Sequence, residues 1–191
     1  MVGNIANFTK IDLLRCLLRI EKPVSRVFLS KSLELGEGTI RSILDILKER
    51  GYLESNNIGH YLSKKGKSIT KKIKDDAHIK KIAGISLFSN KKIVTIQIKN
   101  PAKPINIVAL RDEAVKNGAE GALILKYDKK IRFYDPGYKA NLSEIENKLK
   151  VSKNDLVIVA YADSYKLAEY GAIAAAISIN NHLADIINKL K

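Results

Sequence analysis

Over the first eighty residues apolar positions recur at helical spacing, and beyond them they gather into short runs separated by helical stretches. Phe8 to Leu13 reads as a helix start: Thr9 caps it, Asp12 reaches back as a short capping-box partner, and Phe8 staples onto Leu13. That helix runs to about Ile20. Pro23 punctuates the connection, and Ser25 caps a second helix carrying Phe28, Leu29 and Leu33 at helical spacing. Leu35-Gly36-Glu37-Gly38 reads as a short turn. A third helix opens at Thr39 and sets Ile40, Ile43, Leu44 and Leu47 in one stripe, with Gly51 as its left-handed terminator. Tyr52-Leu53-Glu54 and His60-Tyr61-Leu62 read as hairpin strands joined through Asn56, Asn57 and Gly59, residues that tolerate positive φ. Ser63 then begins a lysine-rich helix, KKGKSITKKIKDD, that leads out of the first domain near Asp76.

The later pattern alternates strands with helices. Residues 82–87 and 93–98 are β-rich and separated by Ser89-Asn90; 109–117 suits a helix ended by Gly118. Residues 122–125 and 131–134 read as strands turning at Lys129-Lys130, with Asp135-Pro136-Gly137 closing the run. Residues 142–149 read as a helix capped by Asn141 or Ser143, 156–160 as a buried strand, and Ser164 onward as one long C-terminal helix. The order ββαββαβα is that of an α+β or α/β domain.

Three helices followed by a hairpin is the order of a winged helix-turn-helix, in which the third helix enters the major groove and the hairpin lies over the flanking backbone. The stretch LELGEGTIRSILDILKERGYLESNNIGHYLSKKG resembles the MarR- and ArsR-like winged-helix transcription regulators over most of this domain. The matching marks are the short turn before GTIRSIL, the LKERGYL step into the wing, and LSKKG where such proteins often have Leu-Thr-x-x-Gly. With the apolar stripe inward, Thr39, Arg41, Ser42, Asp45 and Lys48 occupy the other surface of the third helix. Arg41 suits bidentate donation to guanine, Ser42 or Thr39 suits base edges or phosphate, and Asp45 repels phosphate or accepts from cytosine. Asn56, Asn57 and His60 of the wing, with Lys64, Lys65 and Lys67 after it, are candidates for backbone and minor-groove contacts; an ordinary polar turn and solvated charges are the competing reading.

The formal net charge of +14 invites a polyanion partner. It does not single out one half: residues 1–80 hold 16 Lys and Arg against 9 Asp and Glu, and residues 81–191 hold 18 against 11. Abundant Lys and Ile with scarce Met and Cys also fits a thermophile's general composition. A single cysteine, Cys16, excludes an internal disulfide framework and sits among leucines as a small core residue. With no run of eighteen apolar residues and no secretory pattern in MVGNIANFTKID, a cytoplasmic protein without membrane partners is expected. His60, His78 and His182 are scattered, and neither a metal cluster, a P-loop nor a G-x-S-x-G elbow occurs, so neither catalysis nor a cofactor is expected.

In the second domain an apolar strand delivers the chain through Tyr161-Ala162-Asp163 to a helix start at Ser164. Ligands in α/β layers often bind at such a junction, with Tyr161, Asp163, Ser164 and Tyr165 as effector contacts; alternatively Asp163 or Ser164 is simply the cap. Gly171, Ala172, Ala174, Ala175 and Ala176 leave the last helix so little bulk that either the sheet or a twin helix of a homodimer packs close against it. The segments GAEGALIL and DLVIVAYADS with GAIAAA resemble archaeal proteins that pair a winged helix with a C-terminal domain of unknown function. The resulting expectation is α+β: an N-terminal winged helix-turn-helix, residues 1–76, followed by a smaller mixed α/β sandwich domain, residues 77–191, for dimerisation or ligand sensing. The function expected is that of a transcriptional regulator binding double-stranded DNA as a homodimer, with a possible small-molecule effector. The alternatives are a winged helix that binds RNA or protein, and an enzyme of nucleotide or cofactor metabolism with an accessory winged helix.

Overall fold

The computed structural model describes residues 8–88, 90–99, 101 and 104–190. The chain is α+β and divides into two units, Met1–Ile73 with Asp185–Lys191, and Lys74–Ala184. The second unit holds more of the chain than the first, not less, because it contains all of a five-stranded sheet.

The first unit contains α1 (Lys10–Arg19), α2 (Arg26–Leu33), α3 (Glu37–Glu49), the strands β1 (Leu53–Ser55) and β2 (His60–Leu62), and most of α4 (Lys64–Asp76). The capping box of α1 forms, with the Thr9 amide donating to the Asp12 carboxylate at 2.9 Å. Ser25 caps α2 by accepting the Phe28 amide at 3.2 Å. Leu29 and Leu33 are buried, but Phe28 is half exposed and lies off the inward face. The turn before α3 is shorter than the pattern predicts. Glu34 adopts the left-handed conformation that ends α2 at once, and α3 opens at Glu37 with Gly36 as its cap. Ile40, Ile43, Leu44 and Leu47 are buried as their spacing requires. An ion pair joins them inside: Arg15 and Asp12 are both fully buried, 3.0 Å apart, and Arg15 also donates to the Leu33 carbonyl at 2.9 Å.

The wing turns differently from the expectation. Asn56 and Asn57 keep negative φ, and the Asn56 side-chain oxygen instead accepts the amides of Ile58 and Gly59 at 2.9 and 3.1 Å. Gly59 carries the positive φ, and a Cβ there would lie 2.4 Å from the Val24 carbonyl oxygen. This close approach lets Val24 and His60 exchange two backbone hydrogen bonds, at 3.0 and 2.8 Å, so the segment before α2 pins the hairpin.

In the second unit β3 (Ala77–Ile82), β4 (Lys92–Ile98), β5 (Gly121–Asp128), β6 (Lys130–Phe133) and β7 (Leu156–Ala162) form one sheet in the order β3-β4-β7-β5-β6. Every pair in it is antiparallel. The first strand comes earlier than expected, since residues 83–88 form a loop and a short 3-10 turn that fold Ile85 into the core. Of the proposed Ser89-Asn90 turn, Ser89 lies outside the described residues and Asn90 has positive φ.

The helix α5 (Ile107–Lys116) is capped by Asn106, and α7 (Tyr165–Ile179) packs on β4, β7 and α5. The opposite face buries Ile93, Leu125, Val157 and Val159 against Leu142 and Ile145 of the short α6 (Ser143–Glu146) and its approach. The expected single C-terminal helix is two. Asn180 takes an extended conformation, and its side chain caps α8 (Asn181–Lys189) through the Leu183 amide at 2.9 Å.

Candidate nucleic-acid interface

On α3 the apolar stripe turned to the core leaves Arg41, Ser42 and Asp45 exposed in one neighbourhood, with Lys48 at its flank and Thr39 half-buried on the other side. Ser42 donates back to the Gly38 carbonyl at 3.3 Å, which leaves its oxygen free to accept. The helix is not basic: two cations stand against three carboxylates, Glu37, Asp45 and Glu49. Arg26, at the start of α2, lies 3.3 Å from Glu37 and offsets one of them.

The wing brings His60 into the field of Lys48, Arg26 and Asp45. Burial first, and then Lys48 and Arg26, hold its imidazole below the ordinary histidine range, with Asp45 pulling the other way. Its Nδ1 is buried without a hydrogen-bond partner. Four elements of sequence, two helices and both ends of the Val24 to His60 bridge, therefore converge on one small charged surface. Arg26 was not singled out by spacing; its position directly after the Ser25 cap is the signal that places it at a helix start beside the wing.

The remaining predicted contacts separate. Asn56 spends its oxygen inside the turn, while Asn57 is exposed at the tip. Lys67 and Asn56 border a groove of about 290 Å3 beside the wing, shared with Lys22 and Tyr61. Lys64 is exposed. Lys65 points elsewhere: it donates to the Arg50 carbonyl at 2.7 Å and sits 4.4 Å from the centre of the Tyr52 ring, closing the end of α3. Cations are concentrated on α4, where six lysines stand against Asp75 and Asp76.

In the second unit, Tyr161, Asp163, Ser164 and Tyr165 do not line one cavity. Tyr161 leaves the sheet on the face away from α7 and stacks on Phe88 with ring centres 4.7 Å apart. Asp163 is exposed and paired with Lys91 at 2.7 Å; that bond keeps its carboxyl below the usual carboxylate range. Ser164 accepts the Leu167 amide at 3.2 Å and is the cap of α7. Tyr165 carries the ammonium of Lys81 at 4.7 Å from its ring centre. The small residues of α7 are taken up within the unit: a Cβ on Gly171 would lie 2.5 Å from the Ala119 Cβ and 2.7 Å from the Ala114 carbonyl oxygen.

Residues 9–68 match the model of a PH0730-like N-terminal domain, and residues 89–179 match a domain of unknown function, DUF4443. The structure is similar to that of the hypothetical protein PH0730 from Pyrococcus horikoshii OT3, at 28% identity and a TM-score of 0.84. The likeness covers 97% of this chain and 100% of that one. No curated protein matches the chain in sequence. Among the described residues, no helix is long and apolar enough to cross a membrane.

Proposed function

We propose that this chain is a DNA-binding transcriptional regulator whose first unit reads duplex DNA with α3 and steadies it with the wing. The observation that carries the reading is the exposed row Arg41, Ser42 and Asp45 on a helix whose other side is fully committed to the core. Arg41 supplies bidentate donation to a guanine edge, and Lys48, Arg26, Lys64 and Lys67 supply phosphate contacts. A homodimer would set two such helices about one DNA turn apart. The alanine-rich α7 no longer argues for that dimer, because α5 already covers its Gly171. An effector held by the second unit would act only by binding the DNA-competent arrangement differently from the incompetent one.

The test is fluorescence anisotropy of the full chain on duplex fragments of its own genome, titrated across salt. Arg41→Ala is expected to weaken a selected fragment by about 1–3 kcal/mol and to relax its sequence preference. Lys67→Ala is expected to weaken all duplexes alike and lower the salt slope by about 1. Equal, weak binding to every duplex by the parent and by Arg41→Ala would sink the reading.

One observation favours a protein partner instead. Val27 and Phe28 on α2 are about half exposed next to an α3 of net negative charge. Under that reading Phe28→Ser leaves a real interaction lost and duplex binding absent from the start.

A further inference from the structure

Three grooves of the second unit share Phe133 of β6, an edge strand of the sheet, and a fourth shares Lys126 of β5 with the broadest of them. The broadest, about 760 Å3, presents Lys126, Lys130, Arg132 and Lys139 beside Phe133 and Tyr138. The one carboxylate in its lining, Glu146, is already engaged by the Ile131 amide at 3.1 Å. From there one branch of about 580 Å3 runs past Tyr127, Tyr134 and the carboxylate of Asp128 to Lys153. Another, about 440 Å3, runs past Phe88 to Lys91, whose ammonium is already held by Glu120 and Asp163.

Two features of this groove exceed what a solvated edge requires. Lys126 faces Arg132 directly across the β5–β6 pair, and like charges in opposed register destabilise a sheet. An anion laid between them removes that repulsion. One aromatic ring is also presented to solvent: Tyr138 is 58% exposed, its ring centre 5.9 Å from that of the half-buried Phe133, and the Lys126 ammonium stands 5.1 Å from the centre of the half-buried Tyr134 ring. Cations on an edge strand deter strand-to-strand association. That role calls neither for an exposed ring nor for two cations in register.

We infer that the groove along β6 binds single-stranded nucleic acid, its cations following the phosphates and the exposed Tyr138 stacking a base. The open, branched and strongly basic shape suits a strand passing along the surface. A metabolite site would instead enclose its ligand in mostly apolar walls. The site is separate from duplex reading by the first unit, and the two stand or fall independently.

The full chain is titrated into a fluorescein-labelled thymidine strand of about twelve nucleotides and followed by anisotropy, with thymidine monophosphate as competitor. Tyr138→Ala and Arg132→Gln are each expected to weaken binding about tenfold, and Arg41→Ala to leave it unchanged. Arg132→Gln is also expected to raise the melting temperature of the free protein, since it relieves the Lys126 repulsion. The inference is overturned if the parent does not bind the strand, or if both groove variants bind like the parent. It is equally overturned if Arg41→Ala abolishes strand binding, or if the monophosphate competes as well as the strand.

Discussion

Arg15 lies between Leu14 and Cys16 on α1 and has no exposed surface. A buried guanidinium persists only when its donors are met, and here Asp12 and the Leu33 carbonyl meet them, tying α1 to the end of α2. Arg15→Met keeps the volume but removes the cation beside the buried Asp12 carboxylate, which keeps its bonds from Thr9, so a loss of about 3–5 kcal/mol is expected in urea denaturation. Adding Asp12→Leu should return much of it, less about 1 kcal/mol for the lost helix cap. A loss below about 1 kcal/mol for the single variant would show that the pair does not constrain the fold. The neighbouring Cys16 thiol is pushed up to about 12 by burial, which makes it an inert core residue. His60 acts in the opposite sense to a surface histidine. Because its folded pKa is lowered, its contribution to stability is full above the unfolded value of 6.5 and is lost as the pH falls toward the folded value. A phosphate bound beside it would favour the charged form. Duplex affinity is therefore expected to rise more steeply from about pH 7.5 to about pH 5.5 for the parent than for His60→Gln. Parallel curves would separate His60 from the phosphates.

At the scale of elements, the step from wing to α4 explains why Ser63-Lys64-Lys65-Gly66 has the form it does. The Ser63 hydroxyl accepts the Gly66 amide at 3.0 Å and donates to the Gly51 carbonyl at 2.6 Å, so one side chain caps α4 and ties it to the end of α3. The start of α4 then passes against the residue just before β1: a Cβ on Gly66 would lie 2.1 Å from the Tyr52 carbonyl oxygen. Alanine normally favours a helix over glycine by about 1 kcal/mol. At this position Gly66→Ala is expected to reverse that sign and lower the denaturation midpoint, with duplex binding falling as the wing shifts. A variant as stable as the parent would refute the close approach. Helix limits moved from their expected places for a similar reason. The left-handed Glu34 ended α2 in one residue, and the extended Asn180 split what reads as a single helix, since neither backbone choice alters the apolar spacing on which the reading depends.

At the scale of the whole chain, the last residues return to the first unit. Ile186, Ile187 and Leu190 are buried, the Tyr52 hydroxyl donates to the Lys189 carbonyl at 3.4 Å, and Lys10 donates to Asn188 at 2.8 Å. A fragment of residues 1–76 thus lacks part of its own core. It is expected to melt well below the full chain by circular dichroism, and a fragment melting with the parent would show those contacts to be dispensable. Legible in the sequence were the order of elements up to the last helix, the capping residues Thr9 and Ser25, the stripe of α3 and the α+β class, because these follow from spacing and local hydrogen bonding within a few residues; the cap of α7 stayed open between Asp163 and Ser164. Only the tertiary structure decided that Arg15 is internal, that Lys65 closes α3, and that Tyr161 and Tyr165 part to different neighbours. It alone brought Lys126, Arg132 and Tyr138 to one edge. Each of these depends on strand register or on a partner far away in the chain, and neither leaves a periodic trace among nearest neighbours.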